Sequence, residues 1–216
     1  MMLSMRTRRK AVVVDFDLTL IKVNSFELFY KELAIYVLRT YQLNTLTFLI
    51  WQIILRKIRF ISHAELKKRL LEFLERHSME DFILEFVRKL STLVNHEVVD
   101  FYEKYRLEGY SICLCTAAPA LYIEPFLAIT GLRFDAAIYS PKPLLNQKWE
   151  ENLSEKKKEN TLSLMKERGE ILAVLLTDHY DDLPLLLVKK EKNILVNPTM
   201  YSLEAINAAG VKYDLL

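Results

Sequence analysis

The chain has 216 residues, 51% of them apolar, enough to bury one large domain or a core with a smaller insert, which excludes a disordered chain. A formal net charge of +2 argues against a dedicated nucleic-acid binder. The two cysteines, Cys113 and Cys115, lie two apart on one face of a strand-like run, which excludes a disulfide framework or four-cysteine zinc site and fits a reducing cytoplasm.

In chain order, the stretch Arg6 to Lys10 is basic, and the apolar run after it is too short for a secretory signal. That run, Ala11–Val14, reads as a buried strand and ends in Asp15-Phe16-Asp17-Leu18-Thr19. From about Ser25 to Tyr105 the pattern is helical. Leu66, Leu70, Phe73 and Leu74 recur at helical spacing, as do Phe82, Phe86 and Leu90. The first glycine is Gly109, so no glycine interrupts this stretch, nor does any proline. Its longest uncharged part, Thr40 to Leu55, is shorter than the roughly 20 residues a membrane-spanning helix needs. Strand-like runs follow at Ser111–Cys115, Ala136–Tyr139, Ile171–Thr177 and Asn193–Val196, with helices around Ala120–Ile129, Lys158–Arg168 and Pro184–Lys190. Strand–helix alternation predicts an α/β fold with a parallel sheet. The core is predicted to be split, residues 1–20 and 106–216, around a helical insert at 21–105.

Parallel sheets bind ligands beyond the carboxyl ends of their strands. Asp15 and Asp17 follow the first strand, Thr116-Ala117 the next, and Asp178, Asp181 and Asp182 a later one, while Lys156, Lys157 and Lys158 open a helix between them. Carboxylates are costly to hold at such an edge unless they bind a cation or do chemistry. Oxygen donors of this kind suit magnesium. With four unclustered glycines, the chain has no glycine-rich phosphate loop.

These residues, in this order, resemble the haloacid dehalogenase superfamily of phosphohydrolases, in its phosphoserine-phosphatase-like branch. Asp15-Phe16-Asp17-Leu18-Thr19-Leu20 is similar to the family's first motif, Thr116 to the second, and Asp178 through Leu186 to the fourth. Lys158, with Leu162 and Met165 on its helix face, is assigned to the third, with Lys156 and Lys157 as alternatives. Thr177 stands where many members carry glycine. Val196-Asn197-Pro198 resembles the last core strand, and the insert resembles the helical cap. The resemblance implies a Rossmann-like core and a Mg²⁺-dependent phosphatase acting on a small phosphate monoester. Asp15 would be the nucleophile that forms an aspartyl-phosphate, and Asp17 the acid and base. The Asp15 and Asp178 carboxylates and the Asp17 main-chain carbonyl would hold Mg²⁺. Thr116, Ala117 and Lys158 would bind the phosphoryl oxygens, and Asp182, with Asp181 as the alternative, would hold a metal-bound water or anchor Lys158. An aspartate at position 17 favours esters, whose alkoxide leaving group needs a proton, over halides.

Between Leu33 and Arg69 seven bases face one acid, Glu65, for a local charge of +6, interleaved with Tyr36, Tyr41, Phe48, Trp51 and Phe60. A helical cap with solvated basic edges is favoured over contact with a membrane surface or a lipid-linked phosphate. A phosphotransferase or mutase using the same aspartyl-phosphate is the rival activity, and a receiver-like phospho-acceptor the rival without one.

Overall fold

The structure, a computed structural model, describes residues 8–77, 79–143 and 149–216, so the basic stretch from Arg6 begins outside the described residues. Six strands form one sheet: β1 (Arg9–Val14), β2 (Ser111–Pro119), β3 (Ala136–Ser140), β4 (Glu170–Thr177), β5 (Lys192–Leu195) and β6 (Asp214–Leu215). Their order is β3-β2-β1-β4-β5-β6, and every pairing is parallel. β1 therefore sits between β2 and β4, with Val12 beside Ile112 and Val174. Residues Ala11 to Val14 are fully buried because both faces of the sheet are covered. The sequence did not indicate β6, whose two residues are exposed and carry no apolar run.

The helices are α1 (Ser25–Arg39), α2 (Leu43–Lys57), α3 (His63–Arg76), α4 (Glu80–Ser91), α5 (His96–Leu107), α6 (Ala120–Thr130), α7 (Ser154–Arg168), α8 (Leu183–Leu186) and α9 (Met200–Ala208). α9 was not read from the sequence, and two others differ from expectation. α7 begins four residues before Lys158. α8 stops at Leu186 rather than Lys190, because the Lys190 ammonium donates to the carbonyls of Leu185, Leu186 and Val188 and so ends the helix. Breaks between α1, α2 and α3 need no glycine, since Tyr41 and Arg59 themselves take the left-handed conformation, at φ 54° and 59°.

The first four helices are rooted on an antiparallel bridge between Ile21 and Val94. Asn95 fastens it, donating from its main chain to the Leu20 carbonyl at 2.8 Å and from its side chain to that of Thr19. α5 packs against β2 and the turn after β1. One apolar cluster runs from Val12 and Val14 of the sheet into the insert, where Phe29 meets Phe82, Phe86 and Tyr122 ring to ring at 4.9–5.4 Å. Among the described residues no helix is long and apolar enough to cross a membrane.

Candidate active site

The β1 ladder carries one residue past the strand, where Asp15 donates its N–H to the Leu176 carbonyl at 3.0 Å. The chain then makes one wide turn, Phe16–Leu20, closed by Leu20 and Ile21 donating back to Asp15 and Phe16. Within it Asp17 is extended and Leu18 left-handed, at φ 53°. This reversal brings Asp17 back over the strand end, where its carboxylate accepts the N–H of Ser25, the first residue of α1, at 2.6 Å. Burial of Phe16 against Phe126, edge to face at 5.0 Å, pins the turn from below.

Asp15, Asp17, Thr116, Ala117, Asp178 and Asp182 all line one cavity of about 320 Å³. Lys158 does not. Its ammonium pairs with Glu155 on the surface, and Lys157 takes the place expected of it. α7 buries Lys157, Thr161 and Met165, so its inward face carries Lys157 and Thr161 in place of the expected Lys158 and Leu162 and keeps Met165. Lys157 Nζ donates to Asp15 at 2.8 Å and to Asp182 at 2.7 Å. Thr177, the departure from the family's glycine, donates to the same Asp182 oxygen at 2.6 Å. Asp182 thus anchors the lysine, one of its two expected roles. Asp181 and His179 line the cavity mouth and bond each other.

Other residues escaped the sequence reading. Asn152, buried, donates to the Thr116 carbonyl at 2.9 Å, and its main-chain N–H donates to Ser140 Oγ, which in turn donates to the Ala117 carbonyl. Lys67 reaches from α3 of the insert to the same Ala117 carbonyl at 2.9 Å and pairs with Glu151, the pair nearly dry. These are solitary residues joined across long stretches of chain, and no periodicity marks them.

The electrostatics are unbalanced. Burial pushes the Asp15 carboxyl up to about 7; Lys157 opposes the rise and Asp182 adds to it. Burial, with the charges of Asp15 and Asp182, pushes Asp178 up to about 8. Burial also raises Asp17, against the pull of its hydrogen bonds to Ser25. For Lys157, burial works against the charge, but Asp15 and Asp182 outweigh it and hold the ammonium above its usual value. Three buried carboxyls and the partly buried Asp17 around this one ammonium leave uncompensated negative charge, with hard oxygen donors throughout, which fits a divalent cation such as Mg²⁺. Among the described residues no three His, Cys, Asp or Glu side chains form a complete ligand set, so main-chain or substrate oxygens have to complete it. Asp15 is a carboxylate that lines the cavity beside a cationic lysine, and Asp17 a carboxyl able to carry a proton, an arrangement suited to nucleophilic displacement with acid assistance.

A search of the curated proteins finds no match. Among solved structures, a protein of unknown function from Bordetella pertussis Tohama I superposes with a TM-score of 0.74 at 18% identity, over 97% of this chain and 99% of that one. A probable phosphoserine phosphatase from Vibrio cholerae gives 0.64 at 10% identity, over 96% of this chain and 60% of that one. A phospho-aspartyl intermediate analogue of phosphoserine phosphatase gives 0.56 at 15% identity, over 97% and 93%. The shared fold is the α/β sheet just described. The family model of haloacid dehalogenase-like hydrolases matches residues 12–187, from the first strand through the Asp178–Asp182 cluster, and the chain belongs to that family.

Proposed function

We propose that the protein is a Mg²⁺-dependent phosphatase that hydrolyses a phosphate monoester through an aspartyl-phosphate on Asp15. The observation that carries this reading is the Asp15–Lys157–Asp182 chain of hydrogen bonds at the carboxyl edge of β1, with Asp17 turned back over it. Lys157 aims the Asp15 carboxylate and lends positive charge to the phosphoryl oxygens in attack. Main-chain N–H groups after Thr116 and the Thr116 hydroxyl bind the remaining oxygens; the hydroxyl now accepts from Ala118 at 2.9 Å. Asp17, with a raised carboxyl held by Ser25, protonates the departing alkoxide and then takes a proton from the water that cleaves the acyl phosphate. Asp15 and Asp178 carboxylates with the Asp17 carbonyl would hold Mg²⁺, which supplies charge neutralisation between nucleophile and phosphate when bound. The insert, residues 21–105, serves as a cap: Asn24, Phe26, His63 and Lys67 line the same cavity as the carboxylates.

The test is hydrolysis of p-nitrophenyl phosphate and a panel of small phosphate esters with Mg²⁺, with EDTA, and by Asp15→Asn. Turnover that needs the metal and vanishes in the variant supports the reading. A folded protein that turns over none of the panel, or an Asp15→Asn variant that keeps full activity, overturns it.

A further inference from the structure

α2 is inverted for a helix of a water-facing region. Toward the protein it buries Thr45 and Gln52 along with Leu49 and Leu55, and Gln52 Oε1 has no hydrogen-bond partner there. Toward solvent it presents Leu43, Ile50, Ile53 and Ile54 at helical spacing, from 43% to 68% exposed. Ile58 and Phe60 extend this surface past the end of the helix. A continuous apolar face of this kind marks a contact site rather than scattered surface residues. Arg56, Lys57 and Arg59 cluster at the same end, exposed and without an ion-pair partner among the described residues, and residues 40–64 contain no acid.

Beside that end lies an apolar groove of about 430 Å³, walled by Phe26, Tyr30, Ile53 and Leu66, with Lys31, Arg56 and Lys57 around it against a single acid, Glu27. Phe26 and His63 belong both to this groove and to the cavity that holds Asp15. The groove and the active-site cavity therefore share one wall, Phe26 packed edge to face on His63 at 5.5 Å.

We propose that the face of α2 seats on an anionic lipid surface, and that the substrate is the phosphate monoester of a long-chain amphiphile whose tail lies in this groove. The substrate half of the proposal rests on the phosphatase reading above. Charge decides the occupant of the face. A second copy placed on it would bring two sets of Arg56, Lys57 and Arg59 together, and the Glu27 at each groove would answer at most one base of each set. An anionic bilayer supplies apolar depth and negative charge together.

Two measurements test this, and the first does not depend on activity. Flotation with vesicles of phosphatidylcholine, and of phosphatidylcholine with an equal part of phosphatidylglycerol, should show binding to the anionic vesicles. Arg56→Ser/Lys57→Ser/Arg59→Ser should weaken it on the order of a hundredfold. Ile50→Glu/Ile54→Glu should abolish it at an unchanged melting temperature. The second compares dodecyl phosphate with butyl phosphate below micelle formation, with kcat/KM expected to be about a hundredfold or more in favour of the longer chain. No flotation, flotation indifferent to phosphatidylglycerol, or a dimer that covers α2 in sedimentation overturns the docking. Equal kcat/KM for the two esters overturns the tail site while leaving the phosphatase reading intact. Absence of turnover on both, with flotation preserved, instead strikes the phosphatase reading.

Discussion

At the carboxyl edge of the sheet, charged groups are buried; on the outer face of α2, apolar groups are exposed. Each placement costs free energy in isolation. At the sheet edge much of the cost is answered internally, because Lys157 bonds two of the four carboxyls, Thr177 adds a bond to one of these and Ser25 bonds a third. On α2 nothing in the described structure answers it, and the helix even buries an unpartnered amide oxygen at Gln52. The contrast separates a site prepared by the fold for a small charged ligand from a surface whose complement lies outside the chain.

The largest expected effect is at the sheet edge. Asp15→Asn should lower turnover of a small phosphate ester by about a thousandfold or more in steady-state assays, since a nucleophile has no substitute. Next come the lysines. Lys157→Ala should lower kcat/KM by about a hundredfold, while Lys158→Ala, on the surface, should stay within about twofold. Equal losses would contradict the register of α7. Metal should then sharpen the electrostatic side of the contrast. At a hundred times its Kd, Mg²⁺ should stabilise the protein against heat by about 2.7 kcal/mol relative to EDTA. Asp178→Asn should remove that gain and raise the melting temperature in EDTA, because it deletes a buried carboxyl crowded by Asp15 and Asp182. The smallest effect falls on α2, where Gln52→Leu should stabilise the fold by about 1 kcal/mol in denaturant titrations by removing the unpartnered oxygen.

The same contrast explains what could be read in the sequence. Sheet-edge residues were legible because apolar runs such as Ala11–Val14 mark where a strand ends, and the next residues must then lie at the binding edge. The parallel sheet and its helical insert followed from the same runs. Which lysine faces the cavity was not fixed, because three consecutive lysines offer three faces of the helix and only the packing of α7, with Lys157, Thr161 and Met165 buried, selects Lys157. Asn152 and Lys67 were hidden because each acts alone, across distant stretches of chain, on the last residues of β2. The direction α2 faces was hidden too, since a helix apolar on both sides shows its outward stripe only when its packing is known.

The central position of β1 has a consequence for how the molecule is made. Ala11 pairs with Ser111 on one side and Leu172 on the other, so the strand that carries Asp15 leaves the ribosome long before either neighbour exists. Such distant pairings slow folding and leave an unpaired, strongly β-forming segment exposed in the meantime. The insert's helices, whose contacts are far more local, can form during that wait, and the sheet then closes around a strand made long before either of its neighbours.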